Sequence, residues 1–580
     1  SISLKHFYYD DIKIFSFTIK HEIPLWNYDY LYNFEFKNSM FYKSISIPKG
    51  KADIKVPWEI SRLQFLFFFG LLYRTKKEEK YYNLFVEIIN DWIKKNPIYK
   101  GVNWACTMDV AIRATNMILA YELFSISSDN KKLSTKLLYD TLFLHAFFIK
   151  TNLEKSFKVQ GNHYLSDIAG LLFISLFLIN NYHTKKWLLF SIKEILKELN
   201  SQIYNDGTNF EASTCYHRLA LELFFYPLFL ISKHINYLNF NPRQKRKITC
   251  YYKDKVFKLF NTVFYLLKPD GEMPQIGDND SGQFIKLYPR KILDMRYLLL
   301  LGCIFYNNPK WKIKEFFSNE EDIAELSILF GDEGKKKWEK MEWNNLNNIS
   351  SFAFKDSGWY VMRKNSNYCI VSCGPNGQKN FGGHAHNDKL SFELFLKGKN
   401  IIIDPGTYNY TAEPEMRNLF RSTRYHNTVM IDNEEQNRIF KEELFLLGND
   451  TKAKCISWSV NEFKDEFIGE HYGYTRLKDP VTHRRKFIFE KEIGKLVIVD
   501  SFTGNFEHTF EWNFILFPGI SEKIKINSEN INIFKEHCYY SPEYGVKIDT
   551  EKITFKIKRI PPFSIYITID SELNFTVKEK

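Results

Sequence analysis

The sequence predicts a multidomain chain, an N-terminal α/α toroid followed by a C-terminal antiparallel β-sandwich, and three observations predict it. From about residue 60 to 340 the apolar residues recur at helical spacing. A polar stretch, NNLNN at 344–348, breaks the pattern. Beyond it the segments alternate or run β-branched and aromatic, with Gly, Asn or Asp at the turns, as strands of a sandwich do.

The first 50 residues are aromatic and turn-rich, and are expected to pack on the helices without forming a domain. Helices are expected in segments such as 62–73, 82–96, 107–124, 134–151, 164–180, 186–203, 215–233, 252–267 and 292–306. Polar turns such as SSDN at 127–130, NDG at 205–207 and PDG at 269–271 join them. Helices of similar length in antiparallel succession fit a layered or toroidal architecture better than a βα alternation. The repeat is architectural, since no fixed sequence period accompanies it. Strands are expected within FAFKDSGWYVMRK, NYCIVSCG, KLSFELFLKGKNIIID, NTVMIDN, HRRKFIFEK, GKLVIVDSF, HTFEWNFILF, EKIKINSENINIF, ITFKIKR and FSIYITID. The expected domains are therefore 1–343 and 349–580.

At 580 residues the chain exceeds one ordinary core, and 44% hydrophobic with 17% aromatic content marks a packed globular protein. The net charge of +12 favours a polyanionic partner without choosing among polysaccharide, nucleic acid and membrane. The 8 cysteines are scattered, with no CxxC pair, which argues against a disulfide scaffold while leaving one or two bridges open. The longest apolar run, Ile168 to Ile179, is too short to span a bilayer and reads as a buried helix, so no transmembrane segment is expected. No signal peptide is read at Ser1.

Chemistry concentrates in FGGHAHNDKLSFELF, residues 381–395. His384, His386 and Asp388 stand at period two ahead of Leu390, Phe392 and Leu394, so an extended segment would turn all six to one face. Imidazoles and a carboxylate on an apolar parity are costly to bury unless a metal or a reaction uses them. Asp404 and His426 follow within one hairpin. A purely hydrogen-bonded loop is the plainer alternative.

Three polar clusters interrupt the helical half. Asp109, Arg113 and Asn116 share a stripe at i, i+4 and i+7, where Arg113 serves either an Asp–Arg pair or a substrate carboxylate. Gly161, Asn162 and His163 sit at the mouth of an apolar helix, a place that favours an anion, with capping by Asn162 as the alternative. Glu211, Tyr216, His217 and Arg218 open a later helix, and a tyrosine beside His and Arg can have its phenol pKa lowered, with packing as the alternative.

GNHY at 161–164, YHR at 216–218, GGHAHND at 382–388, IIIDPGTYNY at 401–410 and RSTRYHNTV at 421–429 together resemble the heparinase II/III-like polysaccharide lyases. The chain is also similar to the broad-specificity glycosaminoglycan lyases of that group, and alginate- or capsule-directed relatives share the motifs. The resemblance implies a toroid and a sandwich with the cleft between them, and β-elimination of a uronic-acid polymer, either a glycosaminoglycan such as heparan sulfate, chondroitin sulfate or hyaluronan or another uronate chain. It also implies a periplasmic or secreted protein. Asn162, assisted by His163 or Arg113, would bind the uronate carboxylate. Tyr216 would donate to the leaving oxygen and is also open as the base, with His384 the other base candidate. His217, Arg218 and Arg421 are the remaining substrate-binding candidates, with Arg424 beside the last. His386, Asp404 and His426 are implied as a mainly structural metal site that fixes the loop presenting His384; its mixed N and O donors suit Mn²⁺ or Zn²⁺, and less readily Ca²⁺.

A glycoside hydrolase using Asp206, Glu211, Asp278 or Asp280 is the leading rival, although Asp278 and Asp280 read as turn-stabilising. A non-catalytic polymer-binding module is the second. A nucleic-acid role has no motif behind it, and KKK at 335–337 reads as a solvated linker face. Oligomeric state is not legible.

Overall fold

The computed structural model describes residues 11–14, 17–20, 23–124, 135–156, 159–238 and 240–579. The expected SSDN turn lies outside them. Two short pairs, β1 (Asp11–Ile14) with β2 (Phe17–Lys20) and β3 (Tyr28–Asp29) with β4 (Phe34–Glu35), precede the helices. Trp26 and Tyr42 from this lead-in are buried in the helical core, as expected of a segment that packs without a core of its own.

The helices are α1 (Lys55–Ser61), α2 (Leu66–Lys76), α3 (Glu79–Lys95), α4 (Thr107–Phe124), α5 (Thr135–Thr151), α6 (Asn162–Phe177), α7 (Tyr182–Gln202), α8 (Thr214–His234), α9 (Pro242–Arg246), α10 (Lys253–Leu266), α11 (Arg296–Tyr306) and α12 (Ala324–Lys340). Helices α2, α4, α6, α8 and α10 adjoin in sequence, while α3, α5 and α7 flank them. Burial follows this division: α4, α6 and α8 are buried almost all round, polar side chains included, whereas α3 and α7 bury one stripe only. That is a double ring. Gly170 of α6 lets the inner helices meet, because a Cβ there would lie 2.6 Å from the Ala111 Cβ of α4. The apolar run from Ile168 ends in this inner ring, and no described helix is long and apolar enough to cross a membrane. The 335–337 lysines lie within α12, not in a linker.

The β half contains β5 (Phe352–Phe354), β6 (Trp359–Lys364), β7 (Asn367–Ser372), β8 (Phe392–Leu396) and β9 (Lys399–Ile402) in one antiparallel sheet. A short helix, α13 (Pro414–Phe420), precedes β10 (Val429–Ile431), β11 (Lys454–Val460), β12 (Lys464–His471), β13 (Thr482–Glu490), β14 (Lys495–Thr503), β15 (His508–Ile515), β16 (Lys525–Ser528), β17 (Ile533–Tyr540), β18 (Ile548–Arg559), β19 (Phe563–Asp570) and β20 (Asn574–Glu579). These form sheets ordered β10-β15-β18-β17 and β11-β12-β13-β14-β19-β20-β16, antiparallel except for the β16–β20 pair. Strands β13 and β14 bury every second residue, the period of a one-sided core.

The five-stranded sheet is different, since β7 and β8 are buried on both faces. Val371, Phe392 and Leu394 point into the sandwich core, while Tyr368, Ile370 and Phe395 join the helical core. This sheet welds the halves together and fixes the loop before β8 against the toroid. That loop corrects the extended reading of 384–391: the strand starts only at Phe392, and Leu390 has φ 64°. The strict period-two argument for His384, His386 and Asp388 therefore fails, although the residues still converge. All 8 cysteines are free thiols.

Candidate active site in the cleft between helices and sandwich

A cavity of about 570 Å³ opens between the halves, walled by Trp58, Met108, Asn162, His163, Tyr216 and His384, with Tyr410 and Phe445 completing its lining. Four of its charged side chains pair with one another, Lys55 with Asp280 at 3.1 Å and Arg62 with Asp109 at 2.6 Å. Apolar walls with a few fixed polar groups are the make-up of a ligand pocket.

Asp278 organises the site. Gly277 before it has φ 67°, and a Cβ there would meet the Ala212 and His384 carbonyl oxygens at 2.5 and 2.6 Å. The glycine thus permits the loop to press against His384, whose carbonyl accepts from the Asp278 N–H at 2.9 Å. Burial opposes the Asp278 charge, yet Arg417 and two histidines hold its carboxyl well below the usual range. An ionised carboxylate only accepts. Hence His384 donates through Nδ1 at 2.9 Å and His386 through Nε2 at 2.8 Å, while Arg417 forks onto both oxygens.

With Nδ1 committed, His384 presents Nε2 toward the cleft, 3.4 Å from Glu211. Its ring stacks on Tyr216 at 3.8 Å between centroids. The Tyr216 hydroxyl lies 3.1 Å from that of Tyr410, and burial, with Asp280 and Asp278 nearby, pushes its phenol pKa well above the usual value. This reverses the expected lowering, because Arg218 turns away from Tyr216 to the Gly282 and Ile292 carbonyls. Tyr216 is held as a neutral phenol. Asn162 does not cap α6; its backbone and side-chain N–H groups both donate to Glu211 at 2.9 Å, which fixes the amide at the cleft wall.

The remaining substrate-binding candidates divide. His163 lines the cleft with its side chain half open, and although the surroundings resist its charge, Glu154 raises the imidazole to about 9; solvent screens that pair, but the direction is a protonated ring. Arg113 lies elsewhere, buried over Trp92 and Trp104, while Asp109 pairs with Arg62 instead. His217 accepts from Asn209 N–H and bonds the Leu259 carbonyl, away from the cavity. Arg421 is fully buried and donates to the carbonyls of Glu443, Leu444 and Leu446, while Arg424 pairs with Glu511. Arg218 and Arg421 are structural clamps that donate to buried carbonyls.

His386, Asp404 and His426 meet in the interior, their ligand atoms within 4.8 Å of one another. His426 donates through Nδ1 to the Ser422 carbonyl at 2.6 Å, leaving Nε2 as a lone pair. His386 has used Nε2 on Asp278, leaving Nδ1. These two lone-pair nitrogens face each other at 3.2 Å. Burial lowers both imidazoles, His426 to about 3, so neither readily supplies a proton. Two nitrogens on a tetrahedral Zn²⁺ lie about 3.3 Å apart, and Asp404 reaches His426 Nε2 at 3.4 Å, so the donor set fits a cation.

Sequence reasoning reads Asp278 only as a turn residue or a hydrolase carboxylate, and misses Arg417, which no motif marks. No local spacing links position 278 to 384, and the glycine at 277, where the structure shows a close approach, is the one local feature that could have marked it.

The family model described as heparinase II/III N-terminus matches residues 9–295, and that described as heparinase II/III-like, C-terminal matches 347–558. A heparin-sulfate lyase of Pedobacter heparinus is 24% identical over 468 residues, covering 78% of this chain and 62% of that protein. One from Bacteroides stercoris is 26% identical over 486 residues, covering 78% and 63%. The chain thus spans less than two thirds of the length of these curated relatives. A crystal structure of heparinase III superposes with a TM-score of 0.69 at 18% identity, over 90% of this chain and 78% of that one, a likeness of fold.

Proposed function

Since this chain belongs to the heparinase II/III family, we propose that it is a polysaccharide lyase that cleaves a uronic-acid polymer by β-elimination. The observation that carries the reading is the meeting of Asn162, Tyr216 and His384 on one cleft wall, with His384 oriented by Asp278. The relatives' name, heparin-sulfate lyase, supports a glycosaminoglycan as the polymer.

Elimination requires loss of the weakly acidic C5 proton, stabilisation of charge building on the carboxylate, and protonation of the departing C4 oxygen. His384 Nε2 takes the C5 proton, its ring aligned by the Nδ1–H bond to Asp278 as a carboxylate aligns an imidazole base. Asn162, clamped by Glu211, donates to the uronate carboxylate as it becomes enolate-like, and protonated His163 adds positive charge beside it. Tyr216, kept neutral by its surroundings, gives its phenolic proton to the leaving oxygen. The proton on His384 then returns to Tyr216 through solvent. His386, Asp404 and His426 would hold Zn²⁺ or Mn²⁺, which when bound supplies positive charge that pins the loop bearing His384.

A hydrolase is less well supported. Asp278 and Asp280 are held ionised by cations, Glu211 is taken by Asn162, and Asp206 is bound in a turn with Thr208 and Asp356. Neither of the first two is free as a proton donor. A panel of uronate polymers scored for ultraviolet absorbance of the unsaturated product tests the proposal; products whose new ends have gained water would refute it.

A further inference from the structure

Three segments at one end of the toroid bring unlike ligands together. Cys106 precedes α4, Glu154 lies in the loop after α5, and His163 is the second residue of α6. The Cys106 Sγ lies 3.7 Å from His163 Nδ1 and 3.8 Å from Glu154 Oε2, and those two are 3.2 Å apart. All three ligand atoms fall within 4.8 Å of one another.

Thiolate, imidazole and carboxylate bound to one tetrahedral Zn²⁺ have ligand-to-ligand edges of about 3.3 to 3.6 Å, so the observed triangle needs only small side-chain adjustments to accept the ion. Its members are not equally enclosed. Cys106 is buried, Glu154 is held by the Met108 N–H at 2.9 Å, and half of the His163 side chain is open to the cleft. Three anchored ligands with one open side resemble a Zn²⁺ site that keeps a position for water or substrate, more than a closed four-ligand structural site. The soft sulfur disfavours Ca²⁺ and Mg²⁺.

We propose that Cys106, Glu154 and His163 form a transition-metal site of Zn²⁺ type on the helical rim of the cleft, separate from the His386 cluster, with its remaining coordination position facing the cavity. Binding releases two protons to solvent, one from the Cys106 thiol and one from the His163 ring, and the charge of the ion then stands where that of the imidazolium stood beside Asn162. The open position would accept a carboxylate or sulfate oxygen of a bound polymer, adjacent to Asn162.

Cobalt separates this site from the interior one, because His386, Asp404 and His426 include no sulfur. Full-length protein stripped by chelation and titrated with Co²⁺ should develop a thiolate-to-cobalt charge-transfer band in the near ultraviolet, which added Zn²⁺ removes. Cys106→Ser should abolish that band, and His163→Ala should weaken its appearance at least tenfold. His163 is half exposed, so this second variant keeps the test decisive even should the serine variant misfold. Absence of the band in the native chain, or a band unaltered by either substitution, would overturn the proposal.

Discussion

His384 and His386 stand two residues apart and bond the same carboxylate, yet the two sides of Asp278 are opposite in character. On the cleft side, His384 binds through Nδ1 and turns Nε2 toward the cavity between the halves. On the interior side, His386 binds through Nε2 and turns Nδ1 into a closed cluster with Asp404 and His426. One anion therefore fixes two tautomers, and in the mechanism we propose the nitrogen left free decides between proton transfer and ligation.

The most damaging way to break this comparison is Asp278→Asn, which removes the common acceptor and lets an amide N–H oppose one of the histidines. We expect turnover to fall about a thousandfold or more, as when a triad imidazole is held in the wrong tautomer. Steady-state kinetics beside a thermal melt checks it: near-normal turnover in a folded variant would show that Asp278 does not orient the base.

Substitutions on either side should then separate. His384→Ala and Tyr216→Phe should each lower kcat about a hundredfold or more with little change in Tm, and Asn162→Ala should do similar damage. His386→Ala should act first on stability and metal content. If His384→Ala and His386→Ala gave the same profile, the two sides would not differ as the geometry implies.

Chelation should lower Tm by about a few degrees and reduce activity, since an ion bound only by the folded state stabilises it. Elemental analysis of protein purified without added metal, followed by melts with and without Mn²⁺ or Zn²⁺, measures this. No stoichiometric metal and no response would leave the interior cluster as a hydrogen-bonded loop.

The smallest effect lies away from both histidines. Glu59 in α1 is buried, and against that burial Lys286, Arg62 and Lys55 lower its pKa from 4.5 to about 2. A depressed folded-state pKa means stability present above pH 4.5 and lost as pH falls toward 2, on the order of 3 kcal/mol in all. Glu59→Gln should flatten that acid limb in urea titrations while leaving the response to metal intact; an unchanged limb would place the acid sensitivity at Asp278 instead.

Much of the architecture was legible. Helical spacing located α4 and α5 to within a residue, and the change at 344–348 separated helices from strands. Short or exposed elements escaped: α1, α13, and the strands β11, β12 and β20, whose patterns are brief or broken by charge. The site was legible as a set of residue types, and Asn162, Tyr216 and His384 do share one cleft. Arg113, His217, Arg218 and Arg421 drew attention for the same chemical reasons but face aromatic rings or backbone carbonyls.

By itself the sequence determined what local order governs: where apolar residues repeat at 3.6 or 2, where glycine permits a turn, and which motifs carry imidazoles and carboxylates. Only the tertiary structure decided which of those groups meet. Asp278 reaches His384 and His386 across more than a hundred residues of chain, and the same packing that buries Tyr216 beside acidic groups raises its phenol instead of lowering it. Proton affinity and partner choice depend on desolvation and on charges brought near in space, and neither quantity is written in sequence neighbours.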